Sequence, residues 1–440
     1  MRIIVVQGAA EMNICMFTNT YLPFIGGIAR SVQYYTEDLR ELGHDVLVVA
    51  PRYNRQGQED EGELRIPAIQ KVYGSDFAVR LPVPFVVDWR IQEFNPQIIH
   101  SHHPFIMGDT ALRVARKRKL PLIFTHHTMY EQYVHYVPVN TEPFRQFVIR
   151  LATLYANLCD GVVAPSRSVA DILRERGVTT PIVEIPSGVS TDALGSGDGA
   201  GFRREMEIPL NARVVGHVGR LAPEKNLRFL AAAVAHFLAR HAEACFLVVG
   251  RGPSEPEILD ICRRAGVAQR LIQAGQLDGR LLCDAYQAMD LFVFASHTET
   301  QGMVLAEAMA AGKPVIALDA PGAREVIADG INGRLLPPTA SEHDFSAAIK
   351  HFFDHPAVVP WWSAAARHTA LNFSRETCAK KMASYYRSVI EADETARAAD
   401  SQDFAWDALS QRLRIEWKLL SQKTQAMAGA LMANWSERQD

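Results

Sequence analysis

Glu299 and Glu307 stand eight positions apart, with seven residues between them, in the stretch HTETQGMVLAEAMAAGKPVIAL, and Gly302 lies where a helix should begin. On one continuous helix, residues eight apart point about 80° away from each other, so the pair makes better sense astride a helix entrance than on one face. A helix starting near Met303 puts Glu307 in its first turn and Glu299 in the loop before it. Both carboxylates then converge on one end of a cleft, together with the amides of Gln301, Gly302 and Met303. Free N–H groups at a helix N-terminus suit a phosphate. Upstream, GRLAPEKN supplies Arg220 and Lys225 just after a strand, one a planar fork and the other a point charge, suited to a diphosphate. Carboxylates are poor phosphate ligands but good acceptors for hydroxyls, so phosphate grips beside hydroxyl acceptors describe a nucleotide sugar. Two blander readings compete: Glu307 complements the helix dipole, and Arg220 and Lys225 form a surface pair. Each explains its residue singly and neither explains the combination.

Further polar residues collect at the ends of other strand signals. HSHHP contributes His100, His102 and His103, and FTHHTMYEQYVHY contributes His126, His127 and His135. Their spacing fits no common zinc motif. His126 and His127 are alternatives for one role, because a single-residue slip turns a strand side chain to the other face. Gly26 and Gly27 follow the first strand and allow a ligand close to the backbone at the next helix entrance. VVGRGPSEPE offers G-x-G with Glu255 where a third glycine would complete a dinucleotide fingerprint, so a nicotinamide-dependent oxidoreductase is a weak rival.

The elements that must position these groups alternate between strand and helix, which argues for parallel sheets covered by helices. A first series runs through NICMFT, DVLVVA, PQIIHSH, LPLIFTHH and CDGVVAPS. After STDALGSGDGAGF, which reads as a linker, a second runs through RVVGHVGR, ACFLVVGRG, RLIQAG, DLFVFAS and KPVIALD. The expected organisation is an α/β chain of two Rossmann-like, doubly wound domains facing across a cleft. Residues 1–190 form the acceptor domain, 191–205 the linker, and 206–373 the donor domain. Residues 374–392 form a closing helix returning to the first domain, and 393–440 a helical tail. A ligand belongs at the carboxyl ends of both sheets.

The 440 residues carry a formal net charge of -3, which demands no nucleic acid as partner. Six scattered cysteines without a CxxC pair read as core residues in a reducing compartment, hence a cytoplasmic setting. No apolar run reaches the roughly 18 residues needed to span a bilayer, and the N-terminus lacks a secretory pattern, so membrane contact is expected to be peripheral. Residues 1–11 precede Met12 and read as either a dispensable extension or an artefact of start assignment. EADETARAADSQD reads as a polar break. In the tail, Trp406, Leu409, Leu413, Trp417, Leu420, Met427, Leu431 and Trp435 form an amphipathic stripe, for packing on the protein or for a lipid interface.

GRLAPEKN, VVGRGP and ETQGMVLAE together resemble the retaining glycosyltransferases of family 4, which have the GT-B fold. The family's Glu, seven residues, Glu signature is met by Glu299 and Glu307. The resemblance spans Asn13 to about Ile390 and implies a role for each matching residue. Arg220 and Lys225 bind the donor diphosphate with Gly27, Gly302 and Met303, Glu307 the ribose hydroxyls, and Glu299 the transferred sugar. His127 takes the family's active-site histidine position. The family reaction proceeds by front-face attack in which the donor's phosphate helps accept the acceptor's proton, so no protein nucleophile is expected. There is no DxD motif, and no metal or other cofactor is implied.

TMYEQYVHYVP, TETQG and HHPFIMG resemble the branch that glycosylates diacylglycerol and related glycerolipids. By that resemblance His103, Tyr130 and Glu131 face the acceptor. The partners are then a nucleotide sugar, expected to be UDP-glucose, and a lipid at the anionic inner face of the cell membrane; oligomeric state is left open. Arg113 to Lys119, RVARKRK, and the apolar LPVPFVVDW are candidates for that surface, though cations at a helix C-terminus are favoured anyway. The alternatives are a soluble or polyprenyl-linked sugar acceptor, GDP-mannose as donor, or a non-catalytic nucleotide-sugar sensor.

Overall fold

The computed structural model describes residues 11–23, 26–52, 62–69, 79–80, 84–131, 142–297 and 299–396. His135 and the Trp-containing stripe of the tail lie outside them. The strands of the first domain are β1 (Asn13–Phe17), β2 (Asp45–Pro51), β3 (Glu63–Ile66), β4 (Ala68–Ile69), β5 (Val79–Arg80), β6 (Ile98–Ser101), β7 (Leu122–Thr125), β8 (Gly161–Ala164) and β9 (Ile182–Glu184). Its helices are α1 (Gly27–Glu41), α2 (Pro84–Phe94), α3 (Met107–Arg118), α4 (Glu142–Ala156) and α5 (Arg167–Glu175). Seven strands make a parallel sheet in the order β3-β2-β1-β6-β7-β8-β9, and β4 and β5 pair separately.

Two short helices, α6 (Thr191–Gly195) and α7 (Gly199–Glu205), occupy the segment expected to be a linker. The Asp198 side chain caps α7 by accepting from the Gly201 amide, and Leu194 and Phe202 are buried in the second domain's core. Asp198 therefore serves here as a cap, and Gly197 and Gly199 stand where a Cβ would meet the backbone of Cys283 and Gln287, rather than marking a featureless chain.

The second domain follows with β10 (Arg213–Val218), α8 (Leu227–Leu238), β11 (Ala244–Val249), α9 (Glu255–Arg264) and β12 (Leu271–Gly275). It continues through α10 (Gly279–Ala288), β13 (Leu291–Phe294), α11 (Met303–Ala310), β14 (Val315–Leu318), β15 (Gly333–Leu336), α12 (Glu342–Asp354) and α13 (Val359–Ala370). Six parallel strands take the order β12-β11-β10-β13-β14-β15. The two faces of this sheet feed different cores: Val214 belongs with Tyr286 and Leu305, whereas its neighbour Val215 belongs with Leu230 and Phe345. Burial on both faces is why the strands read as continuous apolar runs rather than alternating ones. The two sheets are thus two doubly wound, GT-B-type domains.

The last helix, α14 (Arg375–Ala396), runs through EADET, the stretch expected to break; Thr395 Oγ1 bonds the Glu391 carbonyl within it. Its first part returns to the opening domain. Arg375 forks onto Asp38 and reaches Glu37, and Tyr386 is fully buried beside β6. All six cysteines are free and buried, as expected of core residues.

In both sheets the strand order reverses direction beside the first strand, between β1 and β6 and between β10 and β13. Open parallel sheets bind ligands outside the carboxyl ends of such strands. Gly26, His102 and His103 follow β1 and β6; Arg220, Lys225 and Glu299 follow β10 and β13.

Candidate functional site

On the second domain, the chain leaves β10 through Gly219 and Arg220, makes one tight turn over Pro223–Lys225 and enters α8 from Asn226. The Asn226 amide ties this turn to the strand beyond by donating to the Ala295 carbonyl at 3.2 Å. Lys225 Nζ meets Glu299 Oε1 at 2.5 Å, both side chains being largely covered. Arg220 pairs with Glu224 on the same turn. Two cations and two carboxylates therefore converge at the switch point, each cation paired with one acid.

The glycines of VVGRGP have a packing reason. Gly250 has φ +136, and a Cβ there would sit 1.9 Å from the Gly219 carbonyl oxygen, so the loop after β11 packs backbone to backbone on the Arg220 loop. That accounts for the glycine without a dinucleotide turn.

Glu307 lies in the second turn of α11, not the first as expected, because Met303 is the first helical residue and left-handed Gly302 its cap. Its carboxylate is buried and accepts from Tyr286 Oη at 2.7 Å. A role limited to the helix dipole, which acts within the first turn, is therefore excluded by position. Glu307 lines a cavity of about 680 Å³ between the domains, facing Gly26, Arg30, Ser190 and Arg280. Gly27 begins α1 at the same wall and is exposed.

Polar contacts draw the glycine loop and the Glu299 loop together. Ser31 of α1 bonds Ser187 Oγ at 2.7 Å, and Gln301 clasps the Ser187 backbone through both ends of its amide, each at 2.7 Å. Thr300 Oγ1 donates to the His127 carbonyl at 2.8 Å, while Ser166 Oγ donates to the Thr300 carbonyl at 2.6 Å. The loop carrying Glu299 is thus hydrogen-bonded to the histidine end of the first domain.

There, His126 and His127 separate to different neighbours. His126 makes edge contacts with Phe124 and Tyr130, and neither of its ring nitrogens finds a partner. His127 stacks on His102, with His102 Nδ1 2.9 Å from His127 Nε2. His100 bonds Tyr386 Oη at 2.6 Å and Thr125 Oγ1 at 2.7 Å. Burial drives His100, His103, His126 and His127 down to about 3, and His102 well below the usual imidazole range, so the cluster is neutral at physiological pH. Among the described residues no group of three His, Cys, Asp or Glu side chains is placed to hold a metal ion.

The three residues expected on the acceptor side are spread over distinct contacts. His103 Nδ1 accepts from the Asn19 amide at 3.1 Å. Tyr130 Oη is buried without a partner, and Glu131 is ion-paired with Arg176 at 2.7 Å. The basic run is largely engaged: Arg113 pairs with Asp109, Lys117 with Asp88, and Arg118 reaches the Asp88 carbonyl. Trp89, next to Asp88, is 66% exposed. Sequence reasoning missed Tyr286, Thr300 and Arg30; it named His102 among the strand-end histidines without giving it a role, although its i, i+2 spacing from His100 puts both on one strand face.

Comparisons with known proteins place these residues in context. The family described as Glycosyltransferase Family 4 matches residues 25–193, and Glycosyl transferases group 1 matches 212–355. A GDP-mannose-dependent alpha-mannosyltransferase of Corynebacterium glutamicum is 30% identical over 370 residues, covering 82% of this chain and 83% of that one. An alpha-monoglucosyldiacylglycerol synthase of Streptococcus pneumoniae is 29% identical over 349 residues, 77% of each chain. Among solved structures, sucrose-phosphate synthase of Thermosynechococcus elongatus superposes with a TM-score of 0.71 at 20% identity, covering 86% of this chain and 99% of that one. That likeness bears on the fold.

Proposed function

From the premise that the chain belongs to glycosyltransferase family 4 and is a nucleotide-sugar-dependent glycosyltransferase, we propose that it moves glucose from UDP-glucose to a diacylglycerol-type lipid with retention. The observation that carries this reading is the likeness to alpha-monoglucosyldiacylglycerol synthases of two organisms, one 29% identical over 77% of each chain and the other 26% over 98% of its length. Exposed Trp89 beside the cationic end of α3 supports an acceptor met at a lipid surface, since aromatic side chains sit well at the headgroup level. No helix of the described residues is long and apolar enough to cross a membrane; in the reading proposed here the enzyme meets its acceptor peripherally, at the inner face of the cell membrane.

In this reading Glu307, steadied by Tyr286, accepts from the ribose hydroxyls, and Glu299 and His127 meet the transferred sugar. Lys225, Arg220 and the amides opening α11 with Gly302 and Met303 stabilise charge developing on the departing diphosphate. Gly27 lets the first domain close on the same phosphates. The acceptor hydroxyl attacks from the face the nucleotide leaves, and its proton passes to the leaving phosphate oxygen. His103, Tyr130 and Glu131 border the acceptor side.

A second reading, GDP-mannose as donor, is favoured by the 30% identical relative that bears that donor in its name. Labelled UDP-glucose, UDP-galactose and GDP-mannose, each offered with diacylglycerol in anionic vesicles, separate the readings after lipid extraction. Labelled lipid from UDP-glucose alone is expected. Label from GDP-mannose alone would replace the donor, and nucleotide release without labelled lipid would replace the acceptor.

A further inference from the structure

We propose that His102 is a positioning residue that holds His127 as its neutral Nδ1–H tautomer, so that a hydrogen-bond donor rather than a lone pair is turned toward the donor sugar. The inference rests on the reading that His127 meets that sugar. Between His102 Nδ1 and His127 Nε2, 2.9 Å apart, one nitrogen carries the proton and the other accepts it.

The other side of His102 decides which. His102 is fully buried, and its Nε2 has no partner. If His127 donated, His102 would carry its proton on Nε2, a buried N–H with nothing to accept it. Buried N–H groups left unpaired are rarer than under-used lone pairs. The favoured arrangement has His102 donating from Nδ1 and exposing only a lone pair at Nε2. His127 must then carry its proton on Nδ1, which makes no hydrogen bond to any described residue. His127 is also the most open ring of the cluster, at 9% exposure.

The orientation of His102 is itself fixed. His100 lies against it with ring centroids 4.1 Å apart, and His100 is pinned on both nitrogens by Tyr386 and Thr125. The closing helix therefore reaches the site through Tyr386, His100 and His102. A neutral Nδ1–H can donate to a sugar hydroxyl oxygen without acting as a proton source, which agrees with a reaction whose proton goes to the leaving phosphate.

The test begins with the full chain carrying ¹⁵N-labelled histidine, read by two-bond ¹H–¹⁵N correlation, with the His127 ring assigned by its loss in His127→Gln. Protonated Nδ1 and bare Nε2 are expected; an Nε2–H ring, or a mixture of tautomers, would overturn the proposal. This readout needs no turnover, so it stands even if the donor or acceptor proves different. In the transferase assay, His102→Leu is expected to lower kcat about 10- to 100-fold, the scale found for partners that orient ligating histidines, with nucleotide affinity unchanged. His102→Asn, whose amide N–H stands where Nδ1–H stood, is expected to recover most of that loss. Equal rates for the Leu and Asn variants would also overturn it.

Discussion

Lys225 Nζ and Glu299 Oε1 stand 2.5 Å apart, an ion pair that joins loops 74 residues apart in the chain. It links the turns after β10 and β13, the strands on either side of the second sheet's switch point. Without a donor the two charges compensate each other; with a diphosphate present the ammonium gains a second anion. On the proposed reading, removing Lys225 deletes a charge-assisted bond to the nucleotide and leaves Glu299 as an added repulsion. Lys225→Ala is therefore expected to weaken UDP binding by about 10- to 100-fold, the scale of a hydrogen bond to a charged group. Glu299→Gln keeps UDP affinity within a few-fold while turnover falls. Calorimetric titration with UDP checks both, and an unchanged affinity for Lys225→Ala removes that residue from the donor site.

Tyr286 offers a finer probe of the ribose contact proposed for Glu307. Its hydroxyl donates to Glu307 at 2.7 Å inside the core, so Tyr286→Phe keeps the packing and deletes one oxygen. The carboxylate then loses the bond that fixes its rotamer. UDP affinity is expected to fall about 2- to 10-fold, less than the full worth of a hydrogen bond to a charged group because the bond lost is made to Glu307 and not to the nucleotide, with Tm lowered only slightly. Glu307→Gln should cost more, because both the charge and this acceptor geometry change. Equal affinities for wild type and both variants would show that ribose binds elsewhere.

Much of this site was legible as strand ends. Arg220, Lys225, His103 and His127 follow apolar runs that are strands, and parallel sheets gather such ends on one side. Less legible was anything set by contacts between domains: nothing in TETQG says that Thr300 bonds a carbonyl 173 residues away. Glu307 was placed one turn early although the helix start was read correctly: from Met303 the first turn of 3.6 residues ends at Ala306, and Glu307 is the fifth helical residue. Strands β3, β4, β5, β9 and β15 were missed, each being only two to four residues long. The segment 191–205 was read as a linker because capping residues and loop residues are the same types.

The buried histidines make stability depend on pH. Four rings are held at about 3 against an ordinary 6.5, so the unfolded chain takes up protons first as pH falls. Their contribution is fully present above about pH 6.5 and is lost as pH drops through the window toward 3, each ring adding up to about 1.4 kcal/mol per pH unit. Melting curves between pH 7.5 and 5.5 should show Tm falling with acidity. His126→Leu should flatten that fall and leave Tm at neutral pH unchanged or higher, since both ring nitrogens of His126 are buried without partners. It should also retain turnover, whereas His127→Ala loses it with UDP affinity little changed. If His126→Leu proved the inactive variant, the one-residue choice between the two histidines would have to be reversed.

Thr300 tests whether the two halves of the site act together. Its hydroxyl reaches the His127 carbonyl and its own carbonyl accepts from Ser166 at the start of α5, so one residue carries two bonds from the Glu299 loop to the first domain. Thr300→Val keeps the shape and deletes the donor. One such bond is worth about 0.5 to 1.5 kcal/mol, so kcat/KM is expected to fall about 2- to 10-fold. Because the contact is to the backbone, His127→Ala leaves it intact, and its effect should combine nearly additively with that of Thr300→Val. Ser166→Ala and Thr300→Val break the same clasp, and their effects should fall short of the sum. Full additivity for the Ser166 pair would mean that the two bonds act separately and that the clasp does not hold the loop as a unit.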